Sequence, residues 1–162
     1  MAELQRSECR FLVSAPLEAV DREQVLQQLA ISLQESGCVK PSYVQAVIER
    51  ERDYPTGVQL EGPINVALAH AGPEHVLKNG IILGILAEAV PFYKMNEPQN
   101  LIPVQIVFML ATVSPAAIAF YMDKLINEVL MKSDVIAWLA NTKNAETIKM
   151  FFESEVFAAP AE

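Results

Sequence analysis

Cysteine is scarce in this chain of 162 residues: there are two, Cys9 and Cys38, and they form no Cys-x-x-Cys pair. That spacing excludes a redox motif or a zinc knuckle and suits a reducing compartment, so a cytoplasmic location is expected. Cations are also few, with 12 Lys and Arg against 20 Asp and Glu and a formal charge of −8. Binding duplex DNA or RNA needs clustered Lys and Arg against the phosphates, so nucleic acid is not an expected partner, and basic protein surfaces are. The opening Met-Ala-Glu-Leu-Gln-Arg-Ser-Glu lacks an apolar run behind a basic start, and no secretory signal is expected. Neither a Gly-x-Ser-x-Gly elbow nor a Gly-x-x-x-x-Gly-Lys-Ser loop occurs, which speaks against a serine hydrolase and against ATP as phosphoryl donor.

Apolar residues, by contrast, make up 52% and charged ones only 20%. Disorder is excluded, and a single domain of this length can bury about 70% of its unfolded surface. One stretch, Leu101 to Met122, carries no charge and is long enough to cross a bilayer. Its first half is rich in β-branched and aromatic residues, Gln105 sits within it, and Ser114-Pro115 reads as an N-cap followed by the first helical residue. The reading is a buried strand that turns into a helix, with no membrane insertion.

Asp21 with Gln24 caps a first helix whose face is Val25, Leu26, Leu29, Ile31 and Leu33, ending at Gly37. Tyr43 to Arg52 forms a second helix with Val44, Val47 and Ile48 on one side, broken by Pro55-Thr56-Gly57. Short apolar runs follow at Ile64 to Ala69, Gly80 to Leu86, Val90 to Tyr93 and Val104 to Ala111, and these read as strands. From Ser114-Pro115 a long helix reaches about Lys132; Ser133 caps a short helix through Leu139, and Asn144 or Ala145 opens a last one through Phe152. The expected fold is α/β: a central mixed sheet of four to five strands with helices on both sides, one domain over residues 1–162. Residues 1–8 and 158–162 are expected to be flexible.

Both histidines fall in Ala67-Leu68-Ala69-His70-Ala71-Gly72-Pro73-Glu74-His75-Val76. His70 closes a strand before a Gly-Pro turn, where sheet proteins assemble sites, although a structural imidazole fits the position equally well. Zinc on His70, Glu74 and His75 is a weaker reading, because the spacing across Gly72-Pro73 is not that of one helical face. Upstream, Glu49-Arg50-Glu51-Arg52-Asp53 reads as a solvated helix end. In the sharper reading, an arginine from this run presents its fixed-charge fork to a phosphoryl group on a nearby imidazole.

Arg50-Glu51, then Tyr54-Pro55-Thr56-Gly57, then the strand closing in His70, resemble the enzyme IIA component of the bacterial sugar phosphotransferase system. The likeness is to the fructose and mannitol class, and within it to the galactitol-type branch. That family reads Arg-Glu, then Pro-Thr-Gly or Ser-Thr-Gly, then a strand ending Ile-Pro-His. The galactitol branch often continues Thr-Asp-Pro-Glu-His-Val, whose last four residues match Pro73-Glu74-His75-Val76. The order of elements agrees over nearly the whole chain.

The resemblance implies that His70 is the phosphoryl acceptor, attacking through Nε2, with Arg50 stabilising charge beside it. Thr56, Gly57, Ala71 and Gly72 would form the surrounding loops, and His75 would be a secondary histidine. The implied partners are HPr, which donates the phosphate, and a cysteine-bearing enzyme IIB as a separate chain, through which a membrane enzyme IIC is reached. No cofactor or metal is implied. Three departures from the pattern stand out: Ala69 replaces the proline, Ala71-Gly72 replaces Thr-Asp, and Ala116-Ala117-Ile118 stands where mannitol-type members carry a second imidazole.

Three rival readings remain at this level: a regulatory IIA-like protein whose His70 state controls a protein partner, a zinc enzyme, and an interaction module with incidental histidines. The relay requires a His70 ring that is not walled off and that has a guanidinium nearby.

Overall fold

The computed structural model describes residues 9–157; the two ends expected to be flexible lie outside this range. A five-stranded sheet has the order β1-β4-β5-β3-β2, built from β1 (Arg10–Leu17), β2 (Gly57–Val58), β3 (Asn65–His70), β4 (Gly80–Tyr93) and β5 (Leu101–Ala111). It is mixed. β1 runs parallel to β4 and β3 parallel to β5, while the β4–β5 and β2–β3 pairs are antiparallel.

Alternation along the strands divides the core into two layers. Ala67, Ala69, Ile82, Val107 and Met109 face α1 (Arg22–Glu35) and α2 (Ser42–Asp53). Val66, Leu68, Ile81, Leu83, Ile106, Phe108 and Leu110 face α3 (Pro115–Leu125), α4 (Ser133–Asn141) and α5 (Ala145–Phe151). The second layer is the aromatic one, with Phe11 stacked on Phe152 at 4.7 Å and Phe108 tilted against Phe152 at 5.8 Å. The expected α/β architecture is therefore the observed one.

The helix ends follow their sequence signals. Asp21 Oδ1 accepts from Gln24 N–H at 2.9 Å, and Ser114 Oγ accepts from Ala117 N–H at 3.1 Å with Pro115 in the first turn. α1 stops in a Schellman arrangement: Cys38 N–H reaches the Leu33 carbonyl, Gly37 N–H reaches the Gln34 carbonyl, and Gly37 has φ +81°. The uncharged stretch from Leu101 is β5 running into α3, and among the described residues no helix is long and apolar enough to cross a membrane.

Several expectations need correction. Residues Arg10–Leu17 form an edge strand that precedes both helices, so the order is not helix, helix, strands. Gly80–Leu86 and Val90–Tyr93 are one strand, whose register against β5 shifts between Ile85 and Val90. Ile31 is 39% exposed, and Ala30 takes its place in the core. The cap before α4 is Lys132, with Ser133 as the first helical residue and no side-chain bond. Past Leu125 the long helix continues as a π-helical turn, Ile126–Leu130.

Candidate active site

Because β3 and β5 are parallel and β4 is antiparallel to β5, the ends of β3 and β5 and the start of β4 share one edge of the sheet. There His70 pairs in register with Leu110. The ring is half-buried. Its Nδ1 lies 3.0 Å from the Leu68 carbonyl oxygen. A carbonyl only accepts, so Nδ1 carries the proton, and in the neutral ring the lone pair is on Nε2. No described residue hydrogen-bonds Nε2.

Arg50 sits in the last turn of α2, where a cation suits the helix dipole. Its guanidinium lies over the Tyr54 ring, 5.2 Å from the centroid, and the Arg50 carbonyl accepts from Tyr54 N–H at 2.6 Å. The helix end and the following loop thus hold the long side chain. Burial holds the His70 pKa below its usual value; the Leu68 carbonyl opposes this by favouring the charged ring, and Arg50 adds to the lowering by repelling it. Burial and the Arg50 charge thus both favour the neutral form of the His70 ring.

The other expected residues are distributed around this pair. Thr56 is buried; its N–H and Oγ1–H both donate to the Glu51 carboxylate, and its carbonyl accepts from Leu68 N–H at 3.2 Å. Its hydroxyl proton is thus engaged by Glu51. Gly57 has a packing reason to be glycine, because a Cβ there would come within 2.5 Å of the Tyr93 carbonyl oxygen. Ala71 is buried directly after His70, and Gly72 is the extended residue that opens the Pro73–His75 turn. A Cβ on Gly72 would strike the Glu74 carboxylate, the mobile tip of an exposed side chain.

His75 has partners of its own. Its Nδ1 meets Ser42 Oγ at the start of α2 at 2.8 Å, and its Nε2 lies 3.7 Å from Glu74. Among the described residues no group of three His, Cys, Asp or Glu side chains is placed to hold a metal ion.

The sequence reading missed one residue, Glu51, which it left in a solvated charge run although it is only 6% exposed. A signal was present. Glu51 follows Val47 by four and Ile48 by three, so it belongs to the buried stripe of α2.

Four likenesses to known proteins bear on this geometry. A galactitol-specific EIIA component of Escherichia coli is 29% identical over 105 residues, which cover 65% of this chain and 69% of that protein. The crystal structure of mannitol IIA from Escherichia coli superposes with a TM-score of 0.69 at 26% identity, covering 90% of this chain and 95% of the other. The IIA chain of an Escherichia coli complex between mannitol enzyme IIA and phosphorylated enzyme IIB gives a TM-score of 0.72 at 24% identity, over 88% of this chain and 94% of the other, a likeness of fold. The model of the family described as "Phosphoenolpyruvate-dependent sugar phosphotransferase system, EIIA 2" matches residues 10–155. This chain accordingly belongs to that family, as an EIIA component of the sugar phosphotransferase system.

Proposed function

We propose that this chain takes a phosphoryl group from the phosphohistidine of HPr onto Nε2 of His70 and passes it to a cysteine thiolate on an enzyme IIB. The observation that carries the reading is the His70 ring itself, at the mouth of a strand, with Nδ1–H committed to the Leu68 carbonyl and Nε2 unengaged beside a fixed positive charge. In the first step the Nε2 lone pair forms a bond to phosphorus, the donor P–N bond breaks, and its electron pair returns to the donor ring. Nδ1 keeps its proton, still donated to the Leu68 carbonyl, so the new phosphohistidine is held in one orientation. In the second step the thiolate forms the S–P bond and Nε2 recovers its pair.

The transition state is loose, with charge spread over the phosphoryl oxygens, so position and positive potential do most of the catalysis. Arg50 supplies the potential, and backbone N–H groups of Ala71 and Gly72 lie next along the chain to assist. Tyr54 (64% exposed), Leu77 (58%) and Val113 (46%) lie on segments adjoining this end of the sheet and would serve as an apolar docking rim. Such a rim suits small, transient contacts with two carriers in turn.

The thiol of the next carrier comes from an enzyme IIB, by which a membrane enzyme IIC is reached. Neither cysteine here resembles a phosphorylated one: Cys38 is buried, and burial pushes the Cys9 thiol up to about 12, with a hydrogen bond from Tyr121 opposing that shift. No metal or nucleotide enters the scheme.

Incubation with enzyme I, HPr and phosphoenolpyruvate should add one acid-labile, base-stable phosphate to the wild-type chain. His70→Ala should remove it, while loss of labelling in His75→Ala alone would place the site elsewhere.

A further inference from the structure

The relay as stated leaves one buried charge without a task. Glu51 and Thr56 are 6% and 4% exposed, and a carboxylate withdrawn from water is costly unless its oxygens are bonded. Here a single residue serves both: Thr56 N–H donates to Oε2 at 2.8 Å and Thr56 Oγ1–H to Oε1 at 2.7 Å. Burial raises the Glu51 pKa, with the two Thr56 bonds and the charges of Arg22 and Arg50 acting against it.

The connection continues beyond Thr56. The Thr56 carbonyl accepts from Leu68 N–H at 3.2 Å, and the carbonyl of the same Leu68 accepts from His70 Nδ1–H at 3.0 Å. A continuous path of hydrogen bonds and the backbones of two residues, Thr56 and Leu68, therefore runs from the neighbour of Arg50 to the imidazole. The opposite end of α2 is fastened too, because Tyr43 Oη donates to the carbonyl of Leu110, the register partner of His70, at 2.7 Å. The helix that delivers the arginine is thus tied at both ends to the strands that deliver the histidine.

We propose that Glu51 is a positioning residue, which holds Arg50 in register with the His70 ring through Thr56 and the Leu68 backbone. This deepens the reading of His70 as phosphoryl acceptor and rests on it. Glu51 touches no phosphate. Its effect arises because a displacement of about 1 Å between a stabilising charge and its target can cost on the order of 10²-fold in rate. Docking of the donor, which uses the exposed rim, should be left alone.

The test uses the full chain as wild type, Glu51→Ala, Glu51→Gln and Thr56→Val. Two quantities are read: the maximal rate and KM of phosphate transfer from phospho-HPr, and the ¹H–¹⁵N signals of the His70 ring in unphosphorylated protein. Glu51→Ala should lower the maximal rate by about 10²-fold while KM stays within about threefold, and it should shift the Nδ1–H signal. Glu51→Gln keeps an oxygen for Thr56 N–H and should recover part of the rate. Thr56→Val loses only the hydroxyl bond and should fall between wild type and Glu51→Ala.

A folded Glu51→Ala with wild-type maximal rate and an unshifted ring signal overturns the proposal. Should Glu51→Ala fail to fold, wild-type values in both Glu51→Gln and Thr56→Val overturn it, and a lowered rate with a shifted signal in either supports it. If wild type takes no phosphate from phospho-HPr, the relay reading fails, and the ring signal alone decides: a shift in Glu51→Gln supports positioning, and none overturns it.

Discussion

The His70 ring hangs from the end of β3 with Nδ1–H on its own strand's carbonyl, whereas the His75 ring, on the short turn that follows, meets Ser42 through Nδ1 and approaches Glu74 through Nε2. Both are imidazoles within one stretch of ten residues. One keeps a nitrogen unengaged by any described residue and has an arginine's charge near it; the other has a carboxylate in that place. A phosphoryl group carries negative charge, so the first setting welcomes it and the second repels it. What distinguishes the two imidazoles is the partner of the second nitrogen, which residue type does not encode.

The largest blow to this contrast comes from removing the charge. Arg50→Ala should slow phosphate uptake by His70 on the order of 10- to 1000-fold in a rapid-quench assay, as expected for the loss of one stabilising donor. Arg50→Lys should fall between, since a point charge does not reproduce a planar fork.

A medium effect is expected in the titration of the His70 ring. His70 should titrate below its usual 6.5, and Arg50→Ala should move that midpoint upward, both followed by NMR. The sign follows from linkage: between the lowered folded value and 6.5 the unfolded chain binds more protons. The stability that His70 contributes is thus present above 6.5 and is lost as pH falls toward its folded value. Phosphate acceptance should follow the same direction and fail on the acid side as Nε2 takes a proton.

The smallest effect belongs to the other ring. His75→Ala and Ser42→Ala should leave the transfer rate within about threefold, and loss of the exposed Ser42 bond should cost under about 1 kcal/mol in urea unfolding. A large rate loss in either would erase the distinction drawn between the two histidines.

Much of this was legible before any coordinates. The Asp21 cap, the Gly37 stop and the Ser114-Pro115 start are local signals, and the structure kept them, whereas the Ser133 cap was not formed. β1 was not legible, since Arg-Phe-Leu-Val-Ser-Ala-Pro-Leu is an edge strand paired on one side only, with a register shift between Ser14 and Leu17. β2 has two residues and no periodicity to read. The join across Ala87 to Ala89 hid because those residues are exposed where the register slips, so the apolar run seems to end.

At the site, a histidine at a strand end was visible as a position. The bond that fixes its tautomer was not, because it goes to a backbone carbonyl. Glu51 was hidden by its charged neighbours, Arg50 and Arg52, although helical spacing assigned it inward.

The most direct measurement is the identity of the phosphorylated atom, read by NMR on the chain charged from phospho-HPr. The account predicts a phosphorus bonded to Nε2 of His70, with Nδ1 still protonated. Phosphate on Nδ1 of His70, or on either nitrogen of His75, would contradict it.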